Sequence, residues 1–499
     1  MSSSKNGSGG VAPGWQDRVA VVPGPRGFAH APGQLLTTDA APAIERLGRL
    51  FPDAEMTDEC LEAGDGSFTR VSGVIDVAVA VQHLRSFGIP VQPNHVVFAH
   101  CADTCCGPHP AMLAGAGAAG MVHGSPVYAS PVYASPVYAS PVYASPVYAS
   151  PVYASPVYAS PVYASPVYAS PVYASPVYAS TGPGTNGNGA YVRTGRRRSS
   201  ARSASADDLA ALEERFQHLK GYRSEELPDV VVLDTGLAIG AHGTGLLKSL
   251  AHKHLVVAGG PDHEQLDEPD SVHGGSDVID PAAGHGSFIA VLVERVAPGA
   301  RVEVWRVLHP QGDGDEATIA GVIEALPPRD GPGDRGAVLN LSFGGYTMDG
   351  PGLLAAAVRR AQTRGYVVVA SAGNDGVCRP TYPAALPDVI SVGAIGPTGP
   401  APFSNYGPTV RACAPGVDLV STFFAGVDGP QPESDGYDPD EFDGCALWSG
   451  TSFSAPIVAG VLAHQKLTRG VTVQEAVERV IDDPALLRIP GLGTVVNVI

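Results

Sequence analysis

Four short stretches in the second half of this 499-residue chain carry side chains that together could break an acyl bond. Asp234-Thr235-Gly236 puts a carboxylate at the end of the apolar run Val230 to Leu233, and Gly284-His285-Gly286-Ser287 opens a helical stretch. Ala370-Ser371-Ala372-Gly373-Asn374-Asp375-Gly376 follows a second apolar run, and Gly450-Thr451-Ser452-Phe453-Ser454-Ala455-Pro456 opens another helix. A serine at a helix start has an exposed hydroxyl and N–H groups aimed at developing negative charge. Imidazole titrates near neutrality, so His285 can take the Ser452 proton and return it to a leaving amine. Asp234 would fix the imidazole tautomer and stabilise the imidazolium. Asn374 would give its side-chain amide to the oxyanion beside the Ser452 N–H.

These groups are far apart in sequence, so the elements between them must bring them together. Near-continuous apolar runs at Val230 to Leu233, Val302 to Leu308, Ala337 to Leu341, Tyr366 to Ala370 and Val389 to Val392 alternate with helical runs. The helical runs are Ser287 to Val296, Glu316 to Leu326, Leu353 to Arg364 and Ser452 to Gln465. Such alternation predicts a doubly wound, mostly parallel α/β sheet with helices on both faces. Sheets of this kind carry their chemistry beyond the carboxyl ends of the strands. Asp234 and Asn374 both follow strand ends. A second His-Gly pair, His242-Gly243-Thr244-Gly245, lies only eight residues after Asp234; His285, which opens an apolar helical run, is the better base.

In these motifs and their order the chain resembles the subtilisin-like serine peptidases (the subtilases, peptidase family S8). Further matching segments are Leu339-Asn340-Leu341-Ser342-Phe343-Gly344-Gly345, Tyr382-Pro383-Ala384-Ala385, Phe403-Ser404-Asn405-Tyr406-Gly407 and Ala414-Pro415-Gly416. The resemblance covers about residues 225 to 499. Ser287 stands where Thr is usual after His-Gly, and Phe453 where Met is usual after the nucleophile; neither removes a catalytic group. The resemblance implies a serine endopeptidase acting through an acyl-enzyme on Ser452, with peptide or protein as substrate. It also implies a substrate-binding strand at Ser342, Phe343, Gly344 and Gly345, and a pocket wall at Ser371, Ala372 and Gly373. Small residues there leave room for a bulky or aromatic side chain. No cofactor is required. Calcium is common in the family, but no ligand set for it can be numbered here. An inert peptide-binding or repeat-bearing scaffold, and a precursor that cleaves its own N-terminal region, are the alternatives.

Charge is unevenly spread. Of 31 Lys and Arg and 49 Asp and Glu, residues 225–499 hold 16 and 34, which is the whole net charge of −18. Such a surface repels a phosphate backbone, which argues against nucleic acid as a partner. Two acidic stretches, Pro261 to Asp280 and Phe423 to Gly444, read as loops near the site. They would favour basic substrate segments or bind calcium, or simply keep the surface soluble. No apolar window is long enough to span a membrane, and the opening residues have no signal-peptide core. The expectation is cytoplasmic residence or unconventional export. Seven cysteines argue against a disulfide scaffold, and Cys378, Cys413 and Cys445 read as buried small apolar residues or a structural bond.

The first half reads as separate pieces: residues 1–14, a small α/β unit at 15–100, a Cys/His then Ala/Gly-rich segment at 101–124, and a linker with a short helix at 180–224. Between the last two, residues 125–179 are eleven copies of Ser-Pro-Val-Tyr-Ala. In the α/β unit, strands are expected at Arg18 to Val22, Phe68 to Val74 and His95 to Ala99, and helices at Ala43 to Phe51 and Asp76 to Phe87. This order loosely resembles the family's inhibitory propeptides, which would send its C-terminal end into the cleft as a product-like strand; an independent binding domain is the competing reading. Cys101, Cys105 and Cys106 with His100 and His109 match no paired zinc knuckle. One proline in five removes ladder donors from the repeat, so it reads as an extended or disordered spacer rather than as a substrate cut at its Tyr-Ala bonds.

Overall fold

A computed structural model describes residues 18–22, 27–64, 66–99, 201–216, 227–240, 242–251, 255–258, 266–267, 269, 279–347, 349–428 and 441–496. The Cys101 cluster, the repeat and most of the Pro261 to Asp280 stretch lie outside the described residues.

The N-terminal unit runs β1 (Ala20–Val22), β2 (Phe28–Thr37), α1 (Ala40–Leu50), β3 (Thr57–Ala63), β4 (Gly66–Ser72), α2 (Val77–Ser86) and β5 (Val91–Ala99). All of its strands pair antiparallel, in the order β5-β2-β4-β3, with β1 beside β2. Two strands, β2 and β3, add to those expected from sequence. α2 is capped by Asp76, whose side chain accepts from the Val79 N–H. Val77, Ala80, Val81 and Leu84 face inward and join Leu35, Ala43, Leu47 and Val71 in a small apolar core. Val79, apolar like them, is exposed. Its place in the helix turns it away from the stripe of Val77, Val81 and Leu84.

The larger unit begins with β6 (Arg202–Ser203) and α3 (Ala206–Phe216) and continues with β7 (Val230–Asp234), α4 (Gly245–Ala251), β8 (Leu255–Val257) and α5 (His285–Val296). There follow β9 (Val302–Arg306), β10 (Asp313–Asp315), α6 (Glu316–Ala325), β11 (Ala337–Leu341), β12 (Phe343–Gly344), α7 (Gly352–Thr363) and β13 (Tyr366–Ser371). The chain then forms β14 (Ile390–Gly396), β15 (Gly399–Pro400), β16 (Ala412–Pro415), β17 (Leu419–Asp428), β18 (Glu441–Trp448), α8 (Thr451–Arg469), α9 (Val473–Val477), β19 (Arg488–Ile489) and β20 (Gly493–Val495).

Its main sheet has the order β19-β20-β16-β14-β13-β11-β7-β9-β8, parallel except where β15 and β19 join. The five residues of β7, β11 and the six of β13 are all buried, which is why these strands read as unbroken apolar runs. α5 and α8 pack together against this sheet, and α6 and α7 pack together apart from them. The doubly wound α/β architecture is therefore as expected. The Phe423 to Gly444 stretch is corrected: its two ends are not loop but the strands of the β17–β18 hairpin, with residues 429–440 between them outside the described residues. Phe423, Phe424 and Phe442 are buried there, so the apolar side chains of the hairpin, not its acids, fix its place.

The two units share strands. β5 is held antiparallel on one edge by β10 and, at its end, on the other edge by β12. Gln92, Asn94 and His95 of β5 surround Glu316 and Asp315 at the start of α6. Gln92 Nε2 donates to both Glu316 oxygens at 2.9 Å, His95 Nδ1 lies 2.9 Å from Glu316 Oε2, and Asn94 Nδ2 donates to Asp315 at 3.0 Å. Gln92 Oε1 in turn accepts from the Gly352 N–H opening α7 at 2.7 Å. The N-terminal unit thus caps two helices of the larger one.

Candidate active site

β7 ends in Asp234, and α5 begins at His285 after Gly284, whose φ of 82° gives the left-handed turn into the helix. His285 Nδ1 lies 2.7 Å from Asp234 Oδ1, and both side chains are fully buried. The same oxygen accepts from the Thr235 N–H at 2.8 Å. The turn is tight: a Cβ on Gly286 would come 2.4 Å from the Gly236 carbonyl oxygen. His285 Nε2 is buried without a hydrogen-bond partner among the described residues, which leaves that nitrogen available to take a proton.

Ser452 is the second residue of α8, so its N–H is one of the four that a helix start leaves without an intrahelical partner. Its Oγ donates to the Ser342 carbonyl at 2.7 Å, and Ser342 Oγ donates back to the Ser452 carbonyl at 2.8 Å. Asn340 Nδ2 donates to Ser342 Oγ at 2.9 Å and completes the clamp. The serine hydroxyl is therefore parked on the strand that leads into β12 rather than on His285. A substrate N–H arriving at the Ser342 carbonyl would compete for that acceptor and free the hydroxyl; catalytic hydrogen bonds commonly tighten only when substrate is present.

Asn374 follows β13. Its Oδ1 accepts from both the N–H and the hydroxyl of Thr451, at 2.9 and 2.8 Å, which anchors the amide oxygen next to Ser452. Ser371, Ala372 and Gly373 lead into it. The Gly373 N–H donates to Thr451 Oγ1 at 3.1 Å, the Ala372 carbonyl accepts from Thr381 Oγ1 at 2.7 Å, and the Gly373 carbonyl accepts from the Asn405 N–H at 2.8 Å. With φ at 107° and Asn405 Nδ2 2.3 Å from where a Cβ would sit, position 373 admits only glycine. Phe343 is buried in the core, while Gly344 pairs with Phe98 and Gly345 lies against the Val96 carbonyl.

Two groups escape the motif reading. Asp267, within an acidic stretch read as surface loop, is buried: its Oδ2 accepts from Thr235 Oγ1 at 2.6 Å and from the Gly284 N–H at 2.9 Å. Thr235 Oγ1 also accepts from the Gly286 N–H at 3.0 Å, so Asp267 ties the Asp234 turn to the start of α5. Burial pushes its carboxyl well above the usual carboxylate range, against the pull of the Thr235 hydrogen bond and Arg306. That favours the uncharged acid and spares Asp234 a second negative neighbour. Trp448, at the end of β18, stands edge-on to His285 with ring centroids 5.5 Å apart, and Phe453 tilts against the same ring at 5.2 Å. These rings shield the imidazole from water. Asp267 carried no signal beyond its charge, and Trp448 none beyond its closeness to Gly450.

His242 is exposed, and its carbonyl accepts from the Ala425 N–H of β17 at 2.8 Å. Cys60 and Cys378 are exposed and Cys413 and Cys445 buried, all as free thiols. Among the described residues no group of three or more His, Cys, Asp or Glu side chains is arranged to hold a metal ion, and no helix is long and apolar enough to cross a membrane.

The family model described as the subtilase family matches residues 229–485, more than half of the chain. The chain belongs to the subtilase family. As a subtilase it is 32% identical over 247 residues to the thermostable alkaline protease of Halalkalibacterium halodurans, covering 48% of this chain and 56% of that protein. It is 31% identical over 255 residues to subtilisin E of Bacillus subtilis, covering 49% of this chain and 57% of the relative. This subtilase thus spans a little over half the length of these curated relatives. Among solved structures, a cold adapted subtilisin-like serine proteinase matches 58% of this chain and 97% of its own, at 22% identity and a TM-score of 0.38.

Proposed function

We propose that this subtilase is a serine endopeptidase in which Asp234, His285 and Ser452 form the catalytic triad and Asn374, with the Ser452 N–H, forms the oxyanion hole. One observation carries the reading: the buried Asp234–His285 pair, an imidazole nitrogen without a partner, a helix-start serine and an amide anchored by Thr451 are gathered at the carboxyl edge of one parallel sheet. In the reaction Ser452 Oγ leaves the Ser342 carbonyl and attacks the scissile carbonyl carbon, giving its proton to His285 Nε2. Asp234 holds the opposite nitrogen and stabilises the imidazolium. The oxyanion takes hydrogen bonds from Asn374 and the start of α8. The proton passes to the leaving amine, and water then hydrolyses the acyl-enzyme by the same steps.

A specific observation also favours self-processing. Ala99 pairs with Phe343 and Phe98 with Gly344, while Phe98, Val97 and Val96 pair with Asp313, Gly314 and Asp315 on the other edge. The end of β5 thus fills a slot between two strands in the way an extended peptide adds to a sheet. The described register ends with Ala99 opposite Phe343, next to Ser342, whose carbonyl accepts from Ser452 Oγ; we infer from it that self-cleavage falls between His100 and Cys101. Intact-mass measurement of the purified wild type beside Ser452→Ala tests both ideas. The expected outcome is a wild type cut after His100 and a variant of full length; two uncut chains would refute self-processing.

A further inference from the structure

A Val-aromatic-Ala triplet occurs in this chain at Val97-Phe98-Ala99 and, as Val-Tyr-Ala, in each of the eleven repeats, and nowhere else. Side chains on a strand alternate between faces. Val97 and Ala99 belong to the apolar core of the larger unit. Val96 and Phe98 turn the other way, into a cluster with Val19, Ala29 and Ala31 of the N-terminal unit. The two side chains that the cleft reads are therefore the two that the repeat preserves. Of residues 96–99, the two that differ, Pro in place of Val96 and Tyr in place of Phe98, fall on the face the peptidase does not cover, and at the cut itself Ser180 stands in place of His100.

The backbone agrees. The Ala99 N–H donates to the Gly312 carbonyl at 2.8 Å, so by alternation the N–H groups of residues 97 and 99 face β10 and that of residue 98 faces Gly344. The ladder to β12 ends at Gly344. A proline at the position of Val96 thus gives up no bond to β12, and its fixed φ suits an extended chain at a ladder's end. Once the N-terminal unit has left, a tyrosine at the Phe98 position turns its hydroxyl to water.

We propose that the Ser-Pro-Val-Tyr-Ala tract is a second occupant of the slot between β10 and β12, taken up after β5 leaves, and that the Ser180–Thr181 bond is its cleavage site. This rests on the peptidase and processing reading above. In the register of β5, Val177, Tyr178 and Ala179 take the places of Val97, Phe98 and Ala99, and Ser180 comes opposite Ser342. Ser452 Oγ adds to the Ser180 carbonyl carbon as its proton moves to His285 Nε2. The bond to Thr181 breaks as the Thr181 nitrogen takes that proton. A water then gives a proton to His285 and its oxygen to the Ser180 carbonyl, and Ser452 recovers its hydrogen. After each of the ten earlier copies the serine is followed by proline. The ring carbon on that nitrogen replaces its hydrogen and crowds the side where His285 delivers the proton, so those copies bind without being cut.

N-terminal sequencing and intact mass of the purified full-length chain test this. The account expects a new N-terminus at Thr181 in addition to the one at Cys101, with neither in Ser452→Ala. Ala179→Arg, which puts a large charged side chain on the face the cleft reads, should lower the Thr181 product at least about tenfold and leave the first cut; Tyr178→Ser should leave both. A chain cut after His100 with no Thr181 terminus, or a Thr181 terminus indifferent to Ala179→Arg, overturns the tract proposal and leaves self-processing standing. A wild type uncut at both places overturns self-processing and the tract proposal together.

Discussion

Asn374 is fixed by its oxygen through two bonds from Thr451, and in the proposed mechanism its amide nitrogen donates to the negative charge that develops beside Ser452. Replacing it with Leu should lower kcat by about 10²–10³ with KM little changed, because the donor is used in the transition state and not in substrate binding. Steady-state kinetics on a peptide substrate check this; a rise in KM at constant kcat would make Asn374 a binding residue instead. At this scale Asp234, His285, Asn374 and Ser452 are legible in sequence because each sits in a local turn or helix start that restricts its neighbours to Gly, Ser, Thr or Ala. Asp267 and Trp448 are not, since what gives each its role is a contact across 17 residues or more, to Gly284 and to His285. An isolated Asp in an acidic stretch looks the same whether it is solvated or buried.

Among the elements, α5 both delivers His285 and buries Glu294, whose Oε1 has no partner among the described residues and whose Oε2 accepts a long 3.4 Å bond from the Gly299 N–H. Burial pushes its carboxyl up to about 8 from an ordinary 4.5. The folded chain therefore keeps a proton that the unfolded chain loses between these values, and the stability it contributes falls as pH rises through that window and levels off above it. Glu294→Gln removes the titration. Denaturation of this variant in a Ser452→Ala background should show a stability gain over its parent that grows from pH 5 to about 8, on the order of a few kcal/mol; a difference independent of pH would contradict it. The parallel strands β7, β11 and β13 are readable because both their faces are buried. β2 is hidden by Pro32-Gly33, with Gly33 at a φ of 69° and a register shift between His30 and Leu35. β3, an edge strand of mostly exposed residues, lacks the apolar alternation that would mark it. The β17–β18 hairpin is obscured by acids in its sequence while its phenylalanines are held by distant elements.

For the whole molecule, the structure joins what the sequence presents as unrelated parts. The N-terminal unit looks too small for much of a core, and it supplements its own apolar cluster by laying β5 along β10 and β12 and by capping α6 and α7 with Gln92 and Asn94. The composition of β5 alone does not announce this, because the main-chain bonds of an added strand carry no side-chain signature. The net charge of −18 sits in the unit that carries the site, yet its buried acids Asp267, Glu294 and Glu316 serve the interior rather than any partner. The central claim is that Ser452 is a nucleophile activated by His285. Reaction with an organophosphonate serine reagent, followed by peptide mapping, tests it most directly. The account predicts an adduct on Ser452 in the wild type and none in His285→Ala. A folded wild type that takes no label at Ser452 would contradict it and favour an inert peptide-binding protein.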